Sequence, residues 1–243
     1  MDRIIIPPRW RHAMPVLFQN SVLKTFVPAS DAPISNDHDS IPPSGFFRYN
    51  AGMKHLKFQE LVDLKRAVTI TPKYPPYDTS LGFPLAVTEE LLLLQEIVEF
   101  HLSGYAVMPI YEIRSVRSKK AERTIERIFE AEGLMKQVGL ADIPPLNEWP
   151  ELFTWLKRSQ KLVQVEYFDT PEPGFSDEVF AAGRITGLSS RSVGILNFDP
   201  AGNWDSEATA IAYDNIKRVR FDTEYLNVFS KYLAKPEQHR GGN

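Results

Sequence analysis

From Phe58 onward the apolar positions fall into short, regular runs. Phe58, Leu61 and Val62 follow helical spacing, with Lys65 on the wet edge. "RAVTITPK" alternates and carries β-branched residues, which predicts a strand. After the loop "YPPYDTS", apolar segments at 81–88, 91–97 and 105–110 predict three more strands, and "IRSVR" a fifth. "KKAERTIERIFEAEGL" predicts a helix with Ile125, Ile128 and Phe129 on one face and Gly133 as its stop. A second series follows in the same order. "NEWPELFTWLKRS" predicts a helix with Asn147 as N-cap, Pro150 in the first turn and an apolar stripe of Trp149, Leu152, Phe153 and Leu156. "KLVQVEYF", "FAAGRITGLS", "SVGILNF", "TAIAY" and "IKRVRF" predict five strands. "DTEYLNVFSKYLAK" predicts a closing helix, capped by Asp222 or Thr223, with Tyr225, Val228, Phe229 and Tyr232 facing inward.

The two series agree position by position. Phe58, Leu61 and Ile70 match Phe153, Leu156 and Val165. Gly82, Val87, Thr88, Leu92, Leu94 and Ile97 match Gly183, Leu188, Ser189, Val193, Ile195 and Phe198. Met108, Ile110, Ile113, Val116 and Arg117 match Ile211, Tyr213, Ile216, Val219 and Arg220. All differences in length fall in loops, where insertions cost little. The sequence therefore predicts three parts: a mobile N-terminal segment and linker over 1–50, and two related domains over 51–140 and 141–243. The linker expectation rests on "PASDAPISNDHDSIPPSG", which lacks periodicity.

A helix followed by five short strands suits a small β-barrel, where closure removes the exposed edges. Glycine at 82 and 183 suits a sharply bent strand. The run "VQV…GRITGLSSRSVGIL…AIAYDNIKRVRF", with Tyr213, Ile216 and Val219 in a closing Y-x-x-I-x-x-V pattern, resembles the Sm-like fold, including its bacterial Hfq branch. The resemblance covers 149–221 well and 58–117 less well. It implies a mainly β fold with flanking helices (α+β), built as two tandem Sm-like or SH3-like five-stranded barrels. RNA-site residues do not carry over. The region 189–193 lacks the Asp and Asn of the family's RNA-stacking loop. Asp214 and Asn215 stand where Hfq carries a basic residue and a histidine, and Tyr111 and Glu112 stand there in the first series.

Composition changes this picture little. The chain has 243 residues, 43% hydrophobic and 24% charged, with a formal net charge of -3, so no strong overall field draws it to nucleic acid or membrane. It has no cysteine, which excludes disulfides, thiol nucleophiles and thiolate metal sites. Prolines 7, 8 and 15 break the apolar start, so no signal peptide is expected, and no apolar run is long enough to span a bilayer. The expected location is cytoplasmic.

The chemistry-bearing candidates are few. "FDPAGNWDSE" offers Asp199, Asn203, Asp205 and Glu207 as oxygen ligands for a hard cation, but the same order makes a hairpin turn and matches no complete calcium loop, so no metal is expected. Trp204 in that loop reads either as an interface anchor, with Asn203 beside it, or as a lid folded back on the barrel. Arg114, Arg117, Lys119, Lys120 and Arg123, with Lys217, Arg218 and Arg220, read either as a phosphate-binding stripe or as charges that protect an edge strand. The five histidines are scattered, and HExxH, GxSxG, Walker A and GxGxxG are missing, so no catalytic residue or cofactor is expected. The expected function is a non-enzymatic binding or scaffolding module with a protein partner, in a bacterial defence, immunity or phage-related assembly. RNA binding through the basic strand-five surfaces is the alternative.

Overall fold

The computed structural model describes residues 57–73, 79–168 and 178–233, and the expected linker over 1–50 lies outside them. The described chain enters at helix α1, over 57–63. Strands β1 (Val68–Pro72), β2 (Ser80–Val87), β3 (Leu91–Val98), β4 (His101–Pro109) and β5 (Ile113–Arg117) follow, and then helix α2 (Lys120–Ala131). The second half contains α3 (Trp149–Arg158), β6 (Leu162–Phe168), β7 (Glu178–Leu188), β8 (Ser192–Asn197), β9 (Thr209–Ala212), β10 (Ile216–Phe221) and α4 (Glu224–Phe229). Gly133 ends α2 in the left-handed conformation at φ 71°.

The strands form one antiparallel ten-stranded sheet in the order β5-β1-β2-β3-β4-β10-β6-β7-β8-β9. This corrects the expectation of two closed five-stranded Sm-like or SH3-like barrels, though the fold is mainly β as expected. A five-stranded barrel closes only if its last strand returns to the free edge of its fourth. Here that edge is already taken, because β4 pairs with β10 through Val107↔Val219, Ala106↔Arg220 and Tyr105↔Phe221. A 3-10 turn separates β4 from β5 at Ile110–Glu112, and another separates β9 from β10 at Tyr213–Asn215. The ladder thus runs on from one half into the other and leaves β5 and β9 as open edges.

Register is the same in both halves. Gly82 opposes Val68 and Glu96, and Gly183 opposes Val163 and Asn197. A bulge follows two residues after each glycine, between Pro84 and Ala86 and between Ile185 and Gly187. Arg117 opposes Thr69 as Arg220 opposes Gln164. α1 and α3 both end on a left-handed residue, Lys65 at φ 46° and Gln160 at φ 52°. Both glycines are required by close approach: a Cβ at Gly82 would lie 2.2 Å from the Gln95 carbonyl oxygen, and one at Gly183 1.9 Å from that of Leu196.

The cores explain the uninterrupted apolar run in β3. Leu91 and Leu93 pack with Phe153, Leu156, Val193 and Val219 of the second half, whereas Leu92 and Leu94 pack with Phe58, Val68, Ile70 and Ile113. A strand buried on both faces has no position for solvent-facing polar residues. Two local expectations are corrected. The N-cap of α3 is Glu148, and Asn147 instead donates from Nδ2 to Glu151 Oε2 at 3.0 Å. Val228 lies on the solvent face of α4, Tyr232 lies beyond the helix end at Phe229 and is exposed, and Leu226 is the helix's buried residue. Thr223 caps α4, its hydroxyl accepting from the Leu226 amide at 3.2 Å.

Candidate functional site

The largest concentration of buried charge lies where β10 joins the two halves. Alternation along β10 sends Val219 and Phe221 into the second core and leaves Arg218 and Arg220 on the other face. Arg218 Nε donates to Glu166 Oε2 at 2.8 Å, and its Nη1 donates to Ser80 Oγ at 2.7 Å. Ser80 Oγ donates onward to Glu96 Oε1 at 3.0 Å. Arg220 Nε donates to Glu96 Oε2 at 2.7 Å, and its Nη1 donates to Glu166 Oε1. Beside them Lys217 Nζ donates to Glu112 Oε1 at 2.7 Å and lies 4.6 Å from the Phe168 ring centroid. A cavity of about 30 Å³, lined by Ser80, Met108, Glu112, Lys217 and Arg218, adjoins the network and has room for a water molecule or two.

Two arginines and two glutamates balance in charge. Burial alone would raise the Glu96 pKa, but the charges of Arg220 and Arg218, with hydrogen bonds from Arg220 and Ser80, hold it below the ordinary value. Burial would likewise favour loss of the Arg220 proton, and Glu166 and Glu96 outweigh it, so its pKa is raised. Both groups stay charged, which suits a structural clamp rather than proton transfer.

This geometry divides the basic stripe expected from the sequence. Lys217, Arg218 and Arg220, expected as binding residues, are paired with carboxylates inside the protein. Arg117 is half committed: its Nε donates to Glu122 Oε1 at 2.8 Å, yet its side chain is 53% exposed. Arg114 is exposed on the β5 edge. Lys119, Lys120 and Arg123, also exposed, continue from it into α2.

In the loop between β8 and β9, Trp204 lies against the sheet. Trp204 forms a β-bridge with Phe198, meets its ring edge-on at 5.9 Å between centroids, and carries the Arg184 guanidinium 5.1 Å from its own centroid. Asp199 is occupied by its own turn. It accepts from the amides of Ala201 and Asn203 at 2.9 and 2.8 Å and from Asn203 Nδ2 at 3.1 Å. The Asn203 amide leads the interactions that lower its pKa. Among the described residues no group of three or more His, Asp or Glu side chains converges to hold a metal ion. Among them, too, no helix is long and apolar enough to cross a membrane.

Sequence reasoning missed Ser80, Glu96 and Glu166. A signal existed, since Gln95 and Glu96 interrupt "LLLLQEIV" and Glu166 interrupts "LVQVEYF", and carboxylates inside apolar strands demand partners. Comparison with family models, curated proteins and solved structures gave no significant match.

Proposed function

We propose that this protein is a non-enzymatic binding module that takes an extended segment of a protein partner onto the open edge of β9. The observation that supports this is the contrast between the two sheet edges. β5 carries Arg114 and Arg117, charges that discourage strand addition. β9 reads Thr-Ala-Ile-Ala, with Ala210 and Ala212 exposed and no charge, proline or bulge to blunt it. Such an edge presents unpaired main-chain donors and acceptors, and strand addition supplies affinity through them. The matching register of the two halves supports an internal duplication, in which the β4–β10 seam closes one pair of edges and leaves β9 free. A cytoplasmic location belongs to this proposal.

Site-specific photo-crosslinking tests it. A photoreactive residue at Ala210 is expected to give a discrete protein adduct in the source cells, and Ala212→Pro, which removes an outward-facing N–H at a φ of -67° that proline accepts, is expected to abolish it. Equal labelling from a photoreactive residue at Glu130, exposed on α2 in the first half, would contradict the reading. Against the RNA alternative, Lys217, Arg218 and Arg220 are already paired with carboxylates, which favours the protein partner.

A further inference from the structure

The matching register makes the two helix–strand gaps directly comparable, and they are filled in opposite ways. In the second half, Leu152 and Trp155 of α3 lie over Phe221 at the end of β10. Leu152 and Phe221 are fully buried, and the Trp155 and Phe221 rings meet edge-on at 5.9 Å. Lys161 closes the rim on Asp222 at 2.5 Å. In the first half the corresponding residues are Lys57, Glu60 and Ser118, with Arg66 and Lys119 at the rim. The apolar plug is gone and the rim carboxylate has become a lysine.

What remains is a cleft of about 280 Å³ between α1, the end of β5 and the start of α2. Lys57, Arg66, Arg117, Lys119 and Arg123 line it, with Glu60. Arg66 and Arg117 are held by Glu126 and Glu122, whereas Lys57, Lys119 and Arg123 form no ion pair with described residues. At the base, the Ser118 hydroxyl is buried and has no hydrogen-bond partner among the described residues. A buried hydroxyl without a partner, under cations without a counter-ion, calls for an acceptor of negative charge.

We propose that this cleft binds a phosphate group, with Lys57, Lys119 and Arg123 supplying the charge and the Ser118 hydroxyl, which has no partner among the described residues to give up, turning about χ1 into the cleft to donate to a phosphate oxygen. The phosphate belongs either to a small phosphorylated molecule or to an RNA backbone, and the two sources are separable. The site is independent of the β9 edge, so its failure leaves the proposed function standing.

The test is equilibrium binding at constant ionic strength, with inorganic pyrophosphate in one arm and a single-stranded ten-nucleotide RNA in the other. At least one probe is expected to bind one-to-one with Kd below about 1 mM. Lys119→Asp, which installs the rim carboxylate of the second half, and Ser118→Phe, which restores its plug, are each expected to weaken binding at least tenfold. Lys119→Gln repeats the test if either variant fails to fold. Pyrophosphate binding identifies a small phosphorylated ligand, and binding of RNA alone identifies a nucleic-acid backbone. Absence of binding in both arms overturns the proposal. So does an equal loss in Lys231→Asp, since that variant changes charge far from the cleft.

Discussion

Arg220 on β10 donates through Nε to Glu96 on β3 at 2.7 Å, joining the last strand in the chain to the first half across 124 residues. Both side chains are largely buried, and a buried pair costs most when a single partner is removed, because the other charge is left uncompensated. Glu96→Gln is therefore expected to destabilise the protein by about 3 kcal/mol. Arg220→Met in the Glu96→Gln background is expected to cost less than it does alone. Urea denaturation of the two single variants and the double variant measures this, and strict additivity would show that the pair is not coupled.

The sheet tolerates no side chain at two of its glycines. Gly82→Ala and Gly183→Ala would each place a Cβ within 2.2 Å of a backbone carbonyl oxygen, and neither carbonyl can move without breaking the ladder. Each variant is expected to lose the cooperative thermal transition. Gly187→Ala is the control: its Cβ would meet nothing within 4 Å, and its melting temperature is expected to stay within a few degrees of the parent.

Leu92 and Trp204 separate core from cover. Leu92 is fully buried beside Phe58 and Ile70, so Leu92→Asp buries an uncompensated charge and is expected to prevent folding. Trp204 is half-buried over Phe198, and Trp204→Ala is expected to cost about 1–2 kcal/mol, less than the loss of a fully buried aromatic. Thermal melts compare them. Equal losses would place Trp204 in the core.

Acid should loosen the first half in a defined range. Burial pushes the Glu122 carboxyl up, but the Thr69 hydroxyl, the amides of Lys119 and Glu122 itself, and Arg117 bring it from 4.5 down to about 2. A depressed carboxyl contributes stability that is complete above its unfolded pKa and is lost as pH falls through its folded one. Glu122 therefore contributes fully above pH 4.5, and its contribution fades towards pH 2. Glu96, also lowered, acts in the same direction. Glu122→Gln is expected to lower stability at pH 7 and to flatten the acid limb of a stability–pH curve over that range.

The strands were legible in the sequence because their signals are local: alternation in β1, glycines at the close approaches, and β-branched runs in β6 and β8. The double burial of β3 was also legible, from Leu91 to Leu94. What periodicity cannot carry is which strand pairs with which edge. The β4–β10 seam depends on residues more than 100 positions apart, such as Val107 and Val219, and closing each half would use the same local pattern. The partners of the basic residues were hidden for the same reason. "IKRVR" and "IRSVRSKK" look alike, but the first meets Glu96 and Glu112 across the seam and Glu166 on β6, while the second faces a cleft left open by Ser118. The cleft is visible only when Phe221 and Ser118 are set at the same register.

Native-state hydrogen exchange resolved to single amides tests the central claim most directly, that two matching halves form one sheet with its seam sealed and β9 left open. The amides of Ala106, Val107 and Val219 at the seam are expected to exchange only through global unfolding, as slowly as those in β3, while the β9 amides not bonded to β8 exchange orders of magnitude faster. Fast exchange at the seam, or β9 amides as protected as those of β4, would contradict it.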